Sequence, residues 1–123
     1  MKIINTENAP GAIGPYSQAY IVNSMVYTSG QIPIDPKTGT IGETIIEQTE
    51  QSCRNVGAIL KEAGTDFVHV FKTTCFLADM KYFKEFNEVY SKYFVSNPAR
   101  SCVAVKELPK GVLCEIEVVA VLL

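Results

Sequence analysis

The sequence contains no run of basic residues, and its formal net charge is −2. Proteins that bind nucleic acid along its phosphate backbone depend on a basic surface, which displaces counterions from the phosphates. A slightly acidic chain without a basic patch is therefore not expected to bind nucleic acid.

Long apolar segments are also missing. The amino terminus, MKIINTENAP, becomes polar within a few residues and lacks the apolar segment of a signal peptide. No later stretch reaches the roughly 20 apolar residues that a membrane-spanning helix needs. We therefore expect a cytoplasmic protein that makes no contact with a membrane.

Metal-binding patterns are scarce as well. The chain has one histidine, His69, and no Cys-x-x-Cys pair among its four cysteines. Such a set makes a poor metal site, and widely spaced cysteines favour reduced thiols in a reducing compartment. The alternation of apolar residues predicts that Cys53, Cys75 and Cys114 are small core residues.

What the sequence does contain is typical of one globular domain. Its 123 residues are 47% apolar and 20% charged, enough to bury one core, and no linker or repeat divides them. We therefore expect a single domain over residues 1–123.

The order of predicted elements indicates an α+β fold. A loop, ENAPGAIGPYSQ, precedes two strands joined at Asn23-Ser24, and apolar spacing predicts a helix over residues 43–63 that ends at Gly64. A strand follows, then a helix capped by Asp79 and running to about Phe94, and finally a hairpin of two strands. The predicted buried stripe of this helix consists of Phe83, Phe86, Tyr90 and Phe94. This order predicts two helices on one face of a mixed sheet.

The last strand predicts that the second sheet face meets another subunit. Alternate residues from Val112 to Ala120 are all apolar and are expected to face the helices. The alternating residues on the other side of this strand form a mixed face, in which Glu115 and Glu117 lie among leucine and valines. So many apolar residues are unusual on a solvated surface and favour contact with another subunit.

The stretch NPARSCVAV places an arginine on this mixed face, if Ser101 and Val103 belong to the apolar side. A hairpin in matching register then brings Arg100 and Cys102 near the glutamates Glu115 and Glu117. The pair can be an ordinary cross-strand ion pair, or a desolvated arginine can offer its planar fork to a carboxylate ligand. The spacing leaves both interpretations open.

Four stretches now reveal a resemblance that runs essentially end to end: ENAPGAIGPYSQ, SGQIP, FNEVY and PARSCVAVKELPKGVLCEIEV. The chain resembles the Rid (YjgF-type) reactive intermediate deaminase family, specifically its RidA-like group. The last stretch is close to the family signature and highly specific, whereas SGQIP alone would be weak.

The resemblance implies a chorismate-mutase-like fold and a homotrimer, in which the three sheets form a barrel and the active sites lie between subunits. It implies hydrolysis of reactive 2-imino acids, such as 2-iminobutanoate and 2-iminopropanoate, to 2-oxo acids and ammonia. No cofactor or metal is needed, and the expected partners are a small 2-imino or 2-oxo acid and further copies of the chain.

The resemblance also implies roles for individual residues. Arg100 corresponds to the arginine that binds the substrate carboxylate, and Glu115 to the carboxylate that activates water. The remaining site positions contribute substrate contacts, and they are Tyr16, Ser29, Gly30, Asn87 and Cys102. Glu117 has no assigned role.

The main alternative is a regulatory module that binds a small carboxylic acid without turnover. Such a sensor needs Arg100 but has no use for a water-activating base, so Glu115 favours the enzyme. Ribonuclease activity, which has been linked to relatives, fits poorly with an acidic chain that lacks a histidine pair or a basic groove.

Overall fold

A computed structural model describes residues 1–123 and contains one six-stranded sheet and two long helices. In chain order the elements are β1 (Lys2–Ile4), β2 (Ala19–Val22), β3 (Met25–Thr28), α1 (Ile45–Ala63), β4 (Val70–Leu77), α2 (Phe83–Tyr93), β5 (Ala99–Ala104) and β6 (Cys114–Val121). The strand order in the sheet is β1-β2-β3-β6-β4-β5, and only β4 and β5 pair in parallel. The predicted α+β class, with both helices on one face, is confirmed.

Local sequence signals fix the turn and the first helix. Asn23 and Ser24 adopt φ of 49° and 63°, the left-handed conformation that a two-residue hairpin needs. The Thr44 side chain caps α1 by accepting a hydrogen bond from the Glu47 amide, 3.1 Å away. Gly64 ends the helix at φ 88°, a conformation that glycine adopts without strain.

The second helix begins later than predicted. Asp79 caps a short 3₁₀ turn, Met80–Tyr82, by accepting a hydrogen bond from the Lys81 amide, and α2 continues from that turn. The predicted apolar stripe is buried at Phe86, Tyr90 and Phe94, while Phe83 at the helix start is only partly buried.

The core lies between this pair of helices and the sheet. It combines one face of α1, the aromatic stripe of α2 and the inward residues of β4 and β6. The predicted burial of three cysteines is confirmed, because Cys53, Cys75 and Cys114 expose no surface.

The predicted hairpin of the last two strands is wrong. β4 lies between β5 and β6, so β5 pairs with β4 alone and forms an edge of the sheet. The chain from β4 to β5 passes through α2, which is the crossover that a parallel pair requires.

This topology also corrects the predicted face of Arg100. Cys102 is directly opposite Cys75, which is opposite the buried Ile116, so Cys102 and Arg100 face the helices. Ser101 and Val103 were assigned to the apolar side, yet both are exposed on the other face. No residue of this edge strand is buried, so its apolar residues need not face the core. The alternation of apolar residues therefore predicted the wrong face for the strand.

The open face of the sheet carries Glu115 and Glu117, as predicted, among exposed apolar side chains. Tyr20, Tyr27, Phe71, Val103 and Val121 each expose between 37% and 46% of their surface there. Apolar area of this extent on one sheet face favours contact with another chain.

A single buried glutamine holds the long loop before β2. The Gln18 amide nitrogen donates to the carbonyl oxygens of Thr6, Ala9 and Pro10 at 3.1, 3.3 and 2.8 Å. Its side-chain oxygen accepts from the Thr6 amide at 2.7 Å. The loop forms no strand, so these bonds replace the hydrogen bonds of a sheet.

We expect Gln18→Ala to destabilise the protein, because each buried backbone group left unpaired costs about 1–3 kcal/mol. Gln18→Glu keeps the size of the side chain but places a carboxylate against three carbonyl oxygens, so it should destabilise at least as much at pH 7. Urea denaturation of both variants measures the loss. Wild-type midpoints for both, with unchanged amide exchange over residues 6–9, would contradict this assignment.

Candidate functional site

The predicted site residues form two separate groups within one chain. One group lies where the long loop meets the segment after β3, and it contains Tyr16, Ser29, Gly30 and Glu115. The other lies between α2 and the edge strand β5, and it contains Asn87, Arg100 and Cys102.

Arg100 is held by α2 and has no acidic partner in the chain. Its Nη1 donates a 2.8 Å hydrogen bond to Asn87 Oδ1. Its guanidinium carbon lies 4.8 Å from the ring centroid of Tyr90 and 5.4 Å from that of Phe83. Arg100 forms no salt bridge, so most of its five N–H donors stay free for a ligand.

An open cleft of about 300 Å³ lies beside this arginine. Its lining combines the polar ends of Asn87 and Arg100 with the aromatic surfaces of Tyr90 and Phe94. A concave surface that joins apolar walls to one cationic group suits a small organic acid.

Cys102 is a half-buried thiol next to this cleft. A hydrogen bond from the Cys75 thiol and the positive charge of Arg100 lower the pKa of Cys102, although partial burial opposes them. No imidazole accompanies the thiol, because the only histidine, His69, bonds through Nδ1 to Asp66 Oδ1 at 2.6 Å. The arrangement is not that of a cysteine–histidine nucleophile.

The Glu115 carboxylate packs against the backbone of Gly30. A side chain at Gly30 would place its Cβ 2.7 Å from Glu115 Cδ, so a larger residue here would displace the Glu115 carboxylate from this position. Gln31 and Ile116 fix the contact through two backbone hydrogen bonds, of 2.8 and 3.2 Å.

Partial burial raises the pKa of Glu115, and the nearby negative charge of Glu117 raises it further. Glu115 has no cationic partner in the chain. A raised pKa makes the ionised carboxylate a stronger proton acceptor, which suits a general base.

Tyr16 lies beside the same glycine. Tyr16 and Gly30 line one small pocket together with apolar loop residues. The Ser29 hydroxyl donates to the Ser17 carbonyl, and the Ser29 amide donates to the Gln18 carbonyl at 2.8 Å. Ser29 therefore fixes the loop that carries Tyr16.

Arg100 and Glu115 do not meet within one chain. Their strands are separated by β4, which places the two backbones about 10 Å apart across the sheet. They also face opposite sides, because Arg100 is aligned with the buried Val118 through Thr73, whereas Glu115 lies on the open face.

The sequence interpretation missed the aromatic support of Arg100. Phe83 and Tyr90 were assigned to the core stripe alone, although both also contact the guanidinium. The spacing of Phe83, Asn87 and Tyr90 is four and then three residues, which places all three on one side of a helix. That spacing could have indicated that the two rings lie beside Asn87, next to the arginine.

Comparison with known proteins now identifies the family. The family model described as Endoribonuclease L-PSP matches residues 6–122. The chain belongs to this family. The resemblance to the Rid proteins, which fall in the same family, is thereby confirmed.

Several family members are similar over nearly the full chain. A Lactococcus lactis protein, AldR, whose name describes a regulator, is 57% identical over 98% of this chain and 97% of its own. The human 2-iminobutanoate/2-iminopropanoate deaminase is 50% identical over 98% of this chain and 89% of its own. The crystal structure of E. coli TdcF with bound serine superposes with a TM-score of 0.95 at 47% identity, covering 98% of both chains.

Two further observations describe the chain. No group of three or more histidine, cysteine, aspartate or glutamate side chains comes together in a way that could hold a metal ion. Neither helix is long and apolar enough to cross a membrane.

Removal of the Glu117 charge should lower the pKa of Glu115 but leave it above the ordinary value. Glu117→Gln abolishes the charge repulsion, whereas the larger effect of burial persists. Carboxyl ¹³C chemical shifts, followed by NMR as the pH is varied, report this pKa directly. An unchanged Glu115 titration would show that the two glutamates do not interact.

Proposed function

We propose that the protein hydrolyses 2-imino acids to 2-oxo acids and ammonia, in a site to which two copies of the chain contribute. The observation that carries this proposal concerns two half-buried charged side chains, Arg100 and Glu115. Neither of them forms a salt bridge within its own chain. The human relative bears the name of such a deaminase, and TdcF binds serine, a small amino carboxylic acid.

Arg100 binds the substrate carboxylate in this mechanism. Asn87 occupies one donor of its Nη1, and the remaining N–H groups can form two parallel hydrogen bonds to a carboxylate. Lysine lacks this planar fork. The contacts from α2 hold the guanidinium in place before the substrate arrives.

Glu115 activates the water. It takes a proton as the water oxygen attacks the iminium carbon, which gives a tetrahedral carbinolamine. It then passes this proton to the amine nitrogen. As the C–N bond breaks, Glu115 takes the proton of the carbinolamine hydroxyl, so that the C=O bond of the 2-oxo acid forms and ammonia leaves. Transfer of that proton to the departing ammonia restores the carboxylate. Such acid–base assistance contributes about 10²–10⁴-fold to the rate, and an iminium carbon needs little further activation.

The remaining residues shape the site. Asn87 orients Arg100, and Cys102 forms part of the wall without acting as a nucleophile. Gly30 leaves room for the Glu115 carboxylate, and Tyr16, fixed through Ser29, covers the substrate from the loop.

The proposed mechanism uses two copies because Arg100 and Glu115 lie on opposite faces of one sheet. A homotrimer, in which the open sheet faces form a central barrel, meets this requirement and buries the exposed tyrosines and valines. We place this reaction in the cytoplasm, where pyridoxal-phosphate enzymes release reactive imino acids.

A second candidate function is ligand binding without turnover. The name of the Lactococcus lactis relative supports it, since that name describes a regulator. Such a module would use the carboxylate contact at Arg100 and leave Glu115 without a chemical role.

The first test follows the decay of 2-iminobutanoate, which is generated in place by a threonine dehydratase and trapped with semicarbazide. Wild-type protein should abolish most of the trapped product. With Arg100→Ala the trapped product should return to the level seen without protein. With Arg100→Lys it should return to most of that level, because lysine keeps the positive charge but lacks the planar fork that binds a carboxylate. Unchanged decay with wild type, together with binding of 2-oxobutanoate, would favour the regulatory module.

A second test mixes two inactive variants. Arg100→Ala and Glu115→Gln should each be inactive alone, yet co-expression should regain activity at about a quarter of the sites, where a head-to-tail interface joins intact residues from different copies. A co-expressed pair of Arg100→Ala and Arg100→Lys is the control and should stay low. Failure to regain activity in proven mixed oligomers would rule out a shared site.

A further inference from the structure

Arg100 lies at the sheet edge, where one hydrogen bond cannot define its orientation. The bond to Asn87 fixes Nη1 but leaves the guanidinium free to turn about that contact. A bidentate carboxylate contact depends on the plane of the group as well as on its position. A second restraint is therefore needed.

The ring of Tyr90 supplies that restraint. Its centroid lies 4.8 Å from the guanidinium carbon, within the range of a cation–π contact. The ring of Phe83, at 5.4 Å, is a further contact from the helix start. Of the two, Tyr90 is buried and Phe83 only partly so.

Tyr90 is itself fixed from the sheet. Its hydroxyl is 2.7 Å from Thr73 Oγ1, and Thr73 is the residue directly opposite Arg100 in the parallel pair. Its ring stacks on Phe94 with centroids 4.3 Å apart. Both Thr73 and Tyr90 are buried, so neither can replace this bond by one to water.

We infer that Tyr90, anchored by Thr73, is a positioning residue that sets the plane of the Arg100 guanidinium for the carboxylate of the ligand. This inference rests on the proposed carboxylate-binding role of Arg100. The ring acts equally on the bound substrate and on the transition state, because the carboxylate does not react. Its loss should therefore raise KM and leave kcat nearly unchanged.

Three variants test the inference. Tyr90→Leu removes the ring, Tyr90→Phe keeps the ring and removes the hydroxyl, and Phe67→Leu is the matched control. Phe67 packs against the same aromatic core, but its ring pairs with Tyr93 and Phe94 rather than with Tyr90, and it neither contacts the guanidinium nor lines the cleft. The control therefore reproduces the loss of packing without the loss of the ring beneath Arg100.

We expect Tyr90→Leu to weaken binding of 2-oxobutanoate about tenfold, from the strength of a partly desolvated cation–π contact. KM for 2-iminobutanoate should rise by the same factor, with kcat within twofold. Tyr90→Phe should change binding less than threefold. Phe67→Leu should also lower the melting temperature, because it removes packing from the same core, but it should leave binding as in wild type.

Side-chain NMR gives a direct measure of orientation. The chain has only two arginines, so the Nε–H signal of exposed Arg54 is an internal reference for that of Arg100. Tyr90→Leu should lower the order parameter of Arg100 and not that of Arg54. Phe67→Leu should change neither order parameter.

Equal effects of Tyr90→Leu and Phe67→Leu on binding, or an unchanged Arg100 order parameter in Tyr90→Leu, would overturn the inference. Failure of the proposed function is a different result, because Arg100→Ala would then bind 2-oxobutanoate as wild type does. If the protein binds 2-oxobutanoate but does not turn over 2-iminobutanoate, the binding and NMR measurements still decide the role of Tyr90.

Discussion

The insertion of β4 between β5 and β6 is the constraint on which the arrangement of the site depends. It places Arg100 on the edge strand beneath α2 and Glu115 on the opposite face of an interior strand. A small 2-imino acid cannot contact both groups around the sheet of one chain, since the strands alone are about 10 Å apart. The same topology leaves an apolar sheet face uncovered. The uncovered sheet face and the separation of Arg100 from Glu115 therefore have one structural origin.

The surroundings of Arg100 and of Glu115 are nevertheless well organised within the single chain. Backbone bonds between Gln31 and Ile116 hold Gly30 against the Glu115 carboxylate, and α2 holds the Arg100 guanidinium by a hydrogen bond and two rings. Neither group needs a ligand or a second copy to reach its position. Preorganisation of this kind lowers the entropic cost of binding, because the side chains are already ordered when the carboxylate arrives.

Local elements could be predicted from the sequence, and pairing between distant strands could not. Asn23-Ser24, Gly64 and the apolar spacing of α1 are short-range signals, and each gave the correct element. The position of β5 depends on which strand it pairs with, which no local pattern encodes. Because Ser101 and Val103 alternate with Arg100, a wrong assumption about pairing reversed the face of the whole strand. The resemblance supplied residue identities for the site, but the separation of Arg100 from Glu115 required the structure.

A shared site makes chemistry depend on assembly. If each active site needs Arg100 from one copy and Glu115 from another, an isolated chain can bind neither the substrate fully nor the attacking water beside it. Any ligand that spans the interface favours the assembled state by mass action, so substrate binding and oligomer stability become linked.

Assembly would also change the pKa of Glu115. This pKa is already raised in the single chain, because the carboxyl group is partly desolvated even before a neighbour covers it. Further burial in an interface would raise the pKa again unless a cation from the second copy offset it. An arginine without an acidic partner in its own chain is suited to that compensation.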